Sequence, residues 1–279
     1  MIRKCYAKIN LTLDILSKRE DGYHNIDTIM TRIGLYDILE IRKTTDNNFT
    51  YESNVDLGDI EDNLIYKAYL ALKKIAKDKA TGIYIKLTKN IPLAAGLAGG
   101  STDCAETIKA LNELWDLSLT KKEMMALGEK LGADIPFFFL EKSARACGIG
   151  EKLTSFANNC KLKILLINDG TNISSADVYK KTRLFGHIDN EKIISGLRTA
   201  DFSVVNDFEN VMEDVVLRDH PHLIRIKERL LENGAIKALV SGSGASIFGV
   251  FKDDEGLDFA YQNLKDSYNF VRKVDLIDD

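Results

Sequence analysis

The chain has 279 residues, 45% of them hydrophobic and 29% charged, which suits a globular protein with a buried core in one large or two ordinary domains. A formal net charge of −4 excludes the basic surface of a nucleic-acid binder, and no apolar run is long enough to span a bilayer. Neither nucleic acid nor membrane is therefore an expected partner.

Met1-Ile-Arg-Lys4 opens like a signal peptide, but Lys8, Asn10, Thr12 and Asp14 interrupt the apolar stretch that follows, so none is expected. Cys5, Ala7, Ile9, Leu11, Leu13 and Ile15 alternate with Tyr6, Lys8, Asn10, Thr12 and Asp14. This is the period-two pattern of a strand, whose polar face is expected toward solvent. Arg19-Glu-Asp-Gly-Tyr-His24 reads as a turn, since Asp-Gly supplies the backbone conformations a turn needs. Strands are expected over 36–41 and 49–53. Leu64, Ala68, Leu72 and Ile75 recur at helical spacing and predict a helix over 63–76. Ile83, Ile85 and Leu87 alternate with Tyr84, Lys86 and Thr88 as a further strand.

Pro92-Leu93-Ala94-Ala95-Gly96-Leu97-Ala98-Gly99-Gly100-Ser101-Thr102-Asp103 follows, ahead of a helical pattern at Ala105, Ile108, Leu111, Leu114 and Trp115. Strand, glycine loop and helix start together make a phosphate site, because glycines let backbone N–H groups approach and the helix end adds unpaired donors. The loop is not a P-loop, since Ser101 and not Lys follows the last glycine, and its spacing fails the dinucleotide fingerprint. Read alone, it is a phosphate cradle or a flexible turn, and Ser101, Thr102 and Asp103 also fit plain capping and first-turn roles.

Thr120 is expected to cap a helix containing Met124, Leu127 and Leu131, which stops at Gly132. Asp134 before Ile135-Pro136 fits a helix N-cap with proline in the first turn. Segments 144–150 and 155–161 read as the exit from the first half. The apolar run 162–167 restarts as a buried strand, so the domains are expected at 1–158 and 159–279. Helices follow at 175–184 and 190–197, then a stretch rich in Asn, Asp and Glu at 206–215, then a helix at 220–232. Strands at 236–241 and 246–251, a helix at 255–267 and a strand at 269–275 complete the chain. Val240-Ser-Gly-Ser-Gly-Ala245, between two strands, reads by itself as a hairpin turn. Cys5, Cys104, Cys147 and Cys160 contain no CxxC pair, which argues against disulfides or zinc and for reduced thiols in the cytoplasm. His220-Pro-His222 lacks neighbouring ligands and reads as surface or helix start.

Three segments in order, Ala7-Lys8-Ile9-Asn10-Leu11, Pro92 to Thr102 and Ser241-Gly-Ser-Gly-Ala245, resemble the GHMP small-molecule kinases. Within that superfamily, Arg19-Glu-Asp-Gly-Tyr-His24 and Leu131-Gly-Ala-Asp-Ile-Pro-Phe137 are similar to the members that phosphorylate a cytidine-diphosphate-linked methylerythritol for isoprenoid precursor synthesis. The resemblance covers essentially the whole chain. It implies a two-domain α+β fold, with an N-terminal ATP-binding domain and a C-terminal ferredoxin-like domain. It implies ATP and Mg²⁺ as cofactors, a small-molecule polyol substrate, and a monomer or homodimer.

By the same resemblance, Lys8 and Asp134 are the catalytic pair. Pro92, Leu93, Ala94, Ala95, Gly96, Leu97, Ala98, Gly99, Gly100, Ser101 and Thr102 hold the ATP phosphates, with Asn63 and Leu64 near the adenine. Asn10 holds the polyol, Tyr23, His24 and Tyr179 enclose the cytosine, and Gly242 and Gly244 let backbone approach the site. Ser101 is the candidate Mg²⁺ ligand. The chain departs from the family at Ala98, where many members have glycine, and at Thr102 and Cys104, where Ser and Ala are commoner. A positive φ at position 98 would make alanine costly there. The chemistry suits these types: phosphoryl transfer needs positioning and charge stabilisation, and a carboxylate can take the proton of a hydroxyl nucleophile. Other readings are an exposed strand lysine at Lys8, a core aromatic at Tyr179 and a satisfied turn histidine at His24. For the whole chain the rivals are a kinase for homoserine, mevalonate or a phosphosugar, or a non-catalytic nucleotide-binding module.

Overall fold

A computed structural model describes residues 1–183 and 186–277, so the end of the helix expected over 175–184 lies outside the described residues. Two compact units are present. One comprises Met1–Ala7, Leu35–Ile91 and Ala98–Leu140; the other comprises Lys8–Gly34, Pro92–Leu97 and Glu141–Asp279.

Strands β1 (Ile2–Lys18) and β2 (His24–Thr44) pair with each other and contribute residues to both units. In β2 the stretch from Ile26 to Ile33 is buried on both faces, and only from Leu35 onward do buried and partly exposed residues alternate. That is why a pattern search finds 36–41 and misses the first half of the strand. The polar face of β1 is not solvated as expected: Lys8, Asn10, Thr12 and Asp14 are 5%, 2%, 0% and 1% exposed. Lys8 bonds to Asn10 beside it, and Asn10, Thr12 and Asp14 find partners in β2 and in residues 186–190, which satisfies the requirement that buried polar groups be bonded.

In the first unit, β3 (Phe49–Ser53) runs parallel to β4 (Gly82–Thr88), and β4 runs antiparallel to Ile38–Thr44 of β2. A parallel pair needs a crossover, and helix α1 (Leu64–Ala76) lies in it. Asn63 caps α1, its Oδ1 accepting from Ile65 N at 2.9 Å. α1 packs on α2 (Gly99–Leu114). Helix α3 (Lys121–Glu129) begins at Thr120 with a full capping box to Glu123, as the sequence predicts. A 3-10 turn, Ile135–Phe139, buries all five of its side chains.

In the second unit, the segments expected as an exit are strands β5 (Ser143–Gly148) and β6 (Lys152–Phe156), with β5 paired to Ile26–Met30 of β2. Strand β7 (Lys163–Asn168) opens an antiparallel sheet with β8 (Lys237–Val240), β9 (Ile247–Phe251) and β10 (Phe270–Val274) in the order β10-β7-β9-β8. Last, first, third, second is the ferredoxin-like order. Helices α4 (Ser175–Lys181), α5 (Asn190–Arg198), α6 (Glu213–Asp219), α7 (His222–Glu232) and α8 (Asp254–Leu264) accompany it. Leu165, Ile226, Leu230, Phe251 and Leu264 share one core with Leu13 and Ile15 of β1. The stretch at 206–215 leaves a 3-10 turn, Phe202–Asp207, passes through 208–212, where Asn210 bridges to Leu13, and enters α6. Strand β11 (Leu276–Ile277) pairs with Arg32 and Ile33 of β2. Among the described residues no helix is long and apolar enough to cross a membrane.

Candidate active site

The glycine loop ends in a helix start that no side chain caps. Ala98 is the N-cap residue of α2, with φ 54° and ψ 36°, and makes no side-chain bond to the helix. The first N–H groups, those of Gly99, Gly100 and Ser101, thus lack the usual intrahelical and capping partners and form an anion site together with the helix dipole. Ala94, Gly96 and Ala98 all carry positive φ, at 48°, 73° and 54°. Left-handed conformation at every second residue turns successive N–H groups toward one concavity. Ser101 is half-buried, whereas Thr102 is 1% exposed and faces inward. A Cβ on Gly100 would have only Leu64 nearby, at 3.8 Å, so Leu64 borders the phosphate turn. Leu93 and Ala94 are exposed, and Ala95 and Leu97 are buried.

Beneath α2 sits a buried triad that sequence reasoning missed. The Lys89 ammonium donates to Asp103 Oδ2 at 2.8 Å and to Asp37. Asp37 Oδ1 also accepts from Ile91 N at 2.8 Å. A Cβ on Gly99 would stand 3.0 Å from Lys89 Nζ, so the ammonium lies directly under the first turn of the helix. Burial lifts the Asp103 carboxyl above its ordinary range against the pull of Lys89, with Asp37 adding to the rise. Burial disfavours the Lys89 ammonium, but Asp103 and Asp37 outweigh it and hold its pKa above the usual value. Asp103 is therefore more than a favourable charge near a helix end.

In the other unit, Lys8 Nζ donates to Asn10 Oδ1 at 2.6 Å, and Asn10 Nδ2 donates to Thr28 Oγ1 at 2.8 Å. The backbone N–H of Lys8 donates to Leu97 O at 3.1 Å, which ties β1 to the loop. The same face continues through Thr12, bonded to Asn190 Oδ1 at 2.6 Å. It ends at Asp14, whose carboxylate accepts from the backbone N–H groups of Gly186, His187 and Ile188 at 2.9, 2.8 and 2.9 Å. The period-two pattern of β1 was the signal for Thr12 and Asp14. Nothing in the alternation pointed to Thr28.

Gly242 and Gly244 also fall in this unit. They occupy a hairpin turn between β8 and β9, and the turn packs on the glycine loop. Ser241 Oγ donates to Gly96 O at 3.0 Å and Ser246 N donates to Ala95 O at 3.2 Å. A Cβ on Gly96 would fall 2.0 Å from Ser241 O, and one on Gly242 would fall 3.3 Å from both Asn10 Oδ1 and Gly96 O. Only glycine permits that approach.

His24 and Tyr179 come together as parallel rings, with centroids 5.7 Å apart and planes 23° apart. Burial, with a smaller effect from Lys18, holds the His24 imidazole below its ordinary pKa. Tyr23 beside it is 59% exposed, its backbone N–H bonded to Asp21 Oδ1 at 3.1 Å. An exposed tyrosine next to a stacked His–Tyr pair offers flat faces to a planar base.

Asp134 lies in the first unit, at the start of the 3-10 turn, with φ −79° and ψ −17° and no side-chain capping bond. The expected capping role is thus not what it does. Among the described residues no group of three or more His, Cys, Asp or Glu side chains is gathered as a metal site.

Residues 63–142 match the family "GHMP kinases N terminal domain" and residues 193–269 match "GHMP kinases C terminal". The chain is 41% identical to a 4-diphosphocytidyl-2-C-methyl-D-erythritol kinase of Thermoanaerobacter pseudethanolicus, over 96% of this chain and 93% of that one. It is also 41% identical to the protein of that name from Caldanaerobacter subterraneus subsp. tengcongensis, over 99% and 96% of the two chains. A crystal structure of 4-(cytidine 5'-diphospho)-2C-methyl-D-erythritol kinase superposes with a TM-score of 0.86 at 29% identity, covering 99% of each chain. An uncapped glycine-rich helix start, a lysine–asparagine pair on the first strand and a ferredoxin-like second sheet accompany these matches, and the chain belongs to the 4-diphosphocytidyl-2-C-methyl-D-erythritol kinase family of the ATP-dependent GHMP small-molecule kinases.

Proposed function

We propose that the protein transfers the terminal phosphoryl group of ATP to the 2-hydroxyl of 4-diphosphocytidyl-2-C-methyl-D-erythritol, a step in non-mevalonate isoprenoid precursor synthesis. The observation that carries the ATP half is the uncapped start of α2 behind three left-handed loop residues. The family match carries the acceptor.

The residue roles are those the family resemblance implies, and the chemistry of each side chain suits its role. The loop from Pro92 to Thr102 receives the phosphates on backbone N–H groups, with Asn63 and Leu64 beside the adenine. Asn10, oriented by Lys8 and Thr28, holds the polyol. The Lys8 ammonium stabilises charge building on the acceptor oxygen, and Asp134 takes the hydroxyl proton as general base. Tyr23, His24 and Tyr179 hold the cytosine by stacking and hydrogen bonding. His24 and Thr28 are four residues apart on one strand, about 13 Å at the usual rise, so base recognition and polyol recognition share β2. Gly242 and Gly244 bring the β8–β9 turn against the polyol and phosphate elements.

Mg²⁺ fits this donor set, since it binds mostly to ATP oxygens and needs only one or two protein oxygens. The half-buried Ser101 hydroxyl at the helix start is the residue that would hold it, and the ion would supply charge neutralisation on the phosphates. The functional division falls near residue 158, a reading supported by the ferredoxin-like sheet being built wholly from β7 onward. The protein works in the cytoplasm as a monomer or homodimer.

The test is ADP release from Mg-ATP with the diphosphocytidyl polyol, comparing parent and Asp134→Asn. Turnover in the parent, falling about 10²–10⁴-fold in the variant, is expected for loss of a general base. Turnover of homoserine, mevalonate or a phosphosugar in place of the cytidine compound would overturn the substrate assignment.

A further inference from the structure

The stretch at 206–215 carries a buried amide whose bonds all go to backbone. Asn210 is 3% exposed. Its Nδ2 donates to Val240 O at 2.8 Å and to Gly242 O at 2.7 Å, and its Oδ1 accepts from Met212 N at 3.0 Å. Asn210 also forms a parallel bridge with Leu13 of β1, and Val211 N donates to Leu13 O at 3.0 Å. Glu213 adds a second tie, its Oε1 accepting from Val240 N at 2.5 Å.

We infer that Asn210 is a positioning residue for phosphoryl transfer, holding the β8–β9 turn in register with both the glycine loop and the catalytic strand. The inference rests on the proposed function for the identity of the two substrates. One side-chain NH₂ clamps the carbonyls on either side of Ser241. Ser241 bonds the Gly96 carbonyl of the glycine loop, and a Cβ on Gly242 would stand 3.3 Å from Asn10 Oδ1. That same Asn10 oxygen accepts the bond from Lys8 Nζ. A side chain at position 210 that cannot donate leaves two buried carbonyls unpaired, and the turn relieves this only by moving. Movement there shifts Gly96 and Asn10 together, and small misplacements of positioning groups reduce rate strongly.

The test compares Asn210→Ala, Gly242→Ala and Leu230→Ala with the parent. Leu230 is a core residue of the same unit and serves as a stability control with no bond to the turn. Gly242→Ala acts on the turn directly, because residue 242 has φ +57°, and it keeps the test informative where Asn210→Ala folds poorly. Steady-state kinetics are read at a temperature where each variant is folded by circular dichroism, alongside binding of a fluorescent ATP analogue. For Asn210→Ala and Gly242→Ala, kcat is expected to fall and the KM values for ATP and for the cytidine substrate to rise, by about ten-fold each. The analogue should bind about ten-fold more weakly to both variants, and Leu230→Ala should lower the melting temperature with kcat kept. Unchanged kcat and ATP affinity in folded Asn210→Ala overturn the inference whatever Gly242→Ala does, as does an equal loss in Leu230→Ala. A parent that binds the analogue but does not turn over sinks the proposed function alone, and analogue binding then still decides the role of Asn210.

Discussion

Ala98 holds a left-handed backbone, with φ at +54°. An L side chain there costs roughly 1–2 kcal/mol; glycine removes that strain but gives back roughly 0.5–1 kcal/mol, because its freer unfolded chain loses more entropy on folding. Ala98→Gly is therefore expected to stabilise the protein by about 0.5–1 kcal/mol, read as a higher melting temperature. A lower one would show that the alanine methyl is packed favourably enough to offset its strain. His24 makes a second prediction. Burial favours its neutral form, so its folded pKa lies below 6.5. Above pH 6.5 both folded and unfolded states are neutral and stability is fully present. As pH falls below 6.5 the unfolded state takes up the proton first, and stability is lost until the lowered folded pKa is passed. Urea unfolding at stepped pH should show a decline beginning near 6.5 that His24→Phe flattens, and an identical slope in both proteins would refute it.

At the scale of elements, β1 and α2 show where pattern reading succeeds and where it stops. The alternation in β1 placed Lys8 and Asn10 on one face correctly, but a polar face does not reveal that it is buried. Thr12 and Asp14 are covered because residues 186–190, 172 residues or more away in sequence, supply backbone and amide partners, and local periodicity carries no record of such partners. α2 was equally legible as a helix, with its uncapped start readable from the glycines. Its support was not. Lys89, Asp37 and Asp103 come from three separate segments, and their side chains are 4%, 0% and 3% exposed. Lys89→Met leaves two carboxylates buried without their cation, and removing one partner of a buried pair typically costs about 3–5 kcal/mol. The midpoint of urea unfolding should fall accordingly. A loss under about 1 kcal/mol would mean that the carboxylates find water or protons cheaply.

For the molecule as a whole, the order of strands and helices after residue 162 was readable almost throughout, because the helices there have one buried face and the buried strands β7 and β9 are short, mostly apolar runs. The first half of β2 was not, since Ile26–Ile33 is buried on both faces and its buried Asp27, Thr28, Thr31 and Arg32 leave neither alternation nor an apolar run to find; β5 and β6 also went unread, and β6 has only Phe156 buried. The site divides the same way. Residues that would touch ligand sit in short motifs with unusual composition, whereas Asn210, Lys89 and Asp14 act through long-range bonds to backbone or buried charge. The turn at Ser241 shows what this implies for a chain still being made. Ser241 bonds Gly96 across 145 residues of sequence. At a synthesis rate of roughly 5–20 residues per second, the glycine loop leaves the ribosome on the order of ten seconds before the turn that braces it. The nascent protein thus carries its nucleotide motif early but lacks the bracing of that motif until the last third emerges, and a chain ending before the turn keeps the motif without its support.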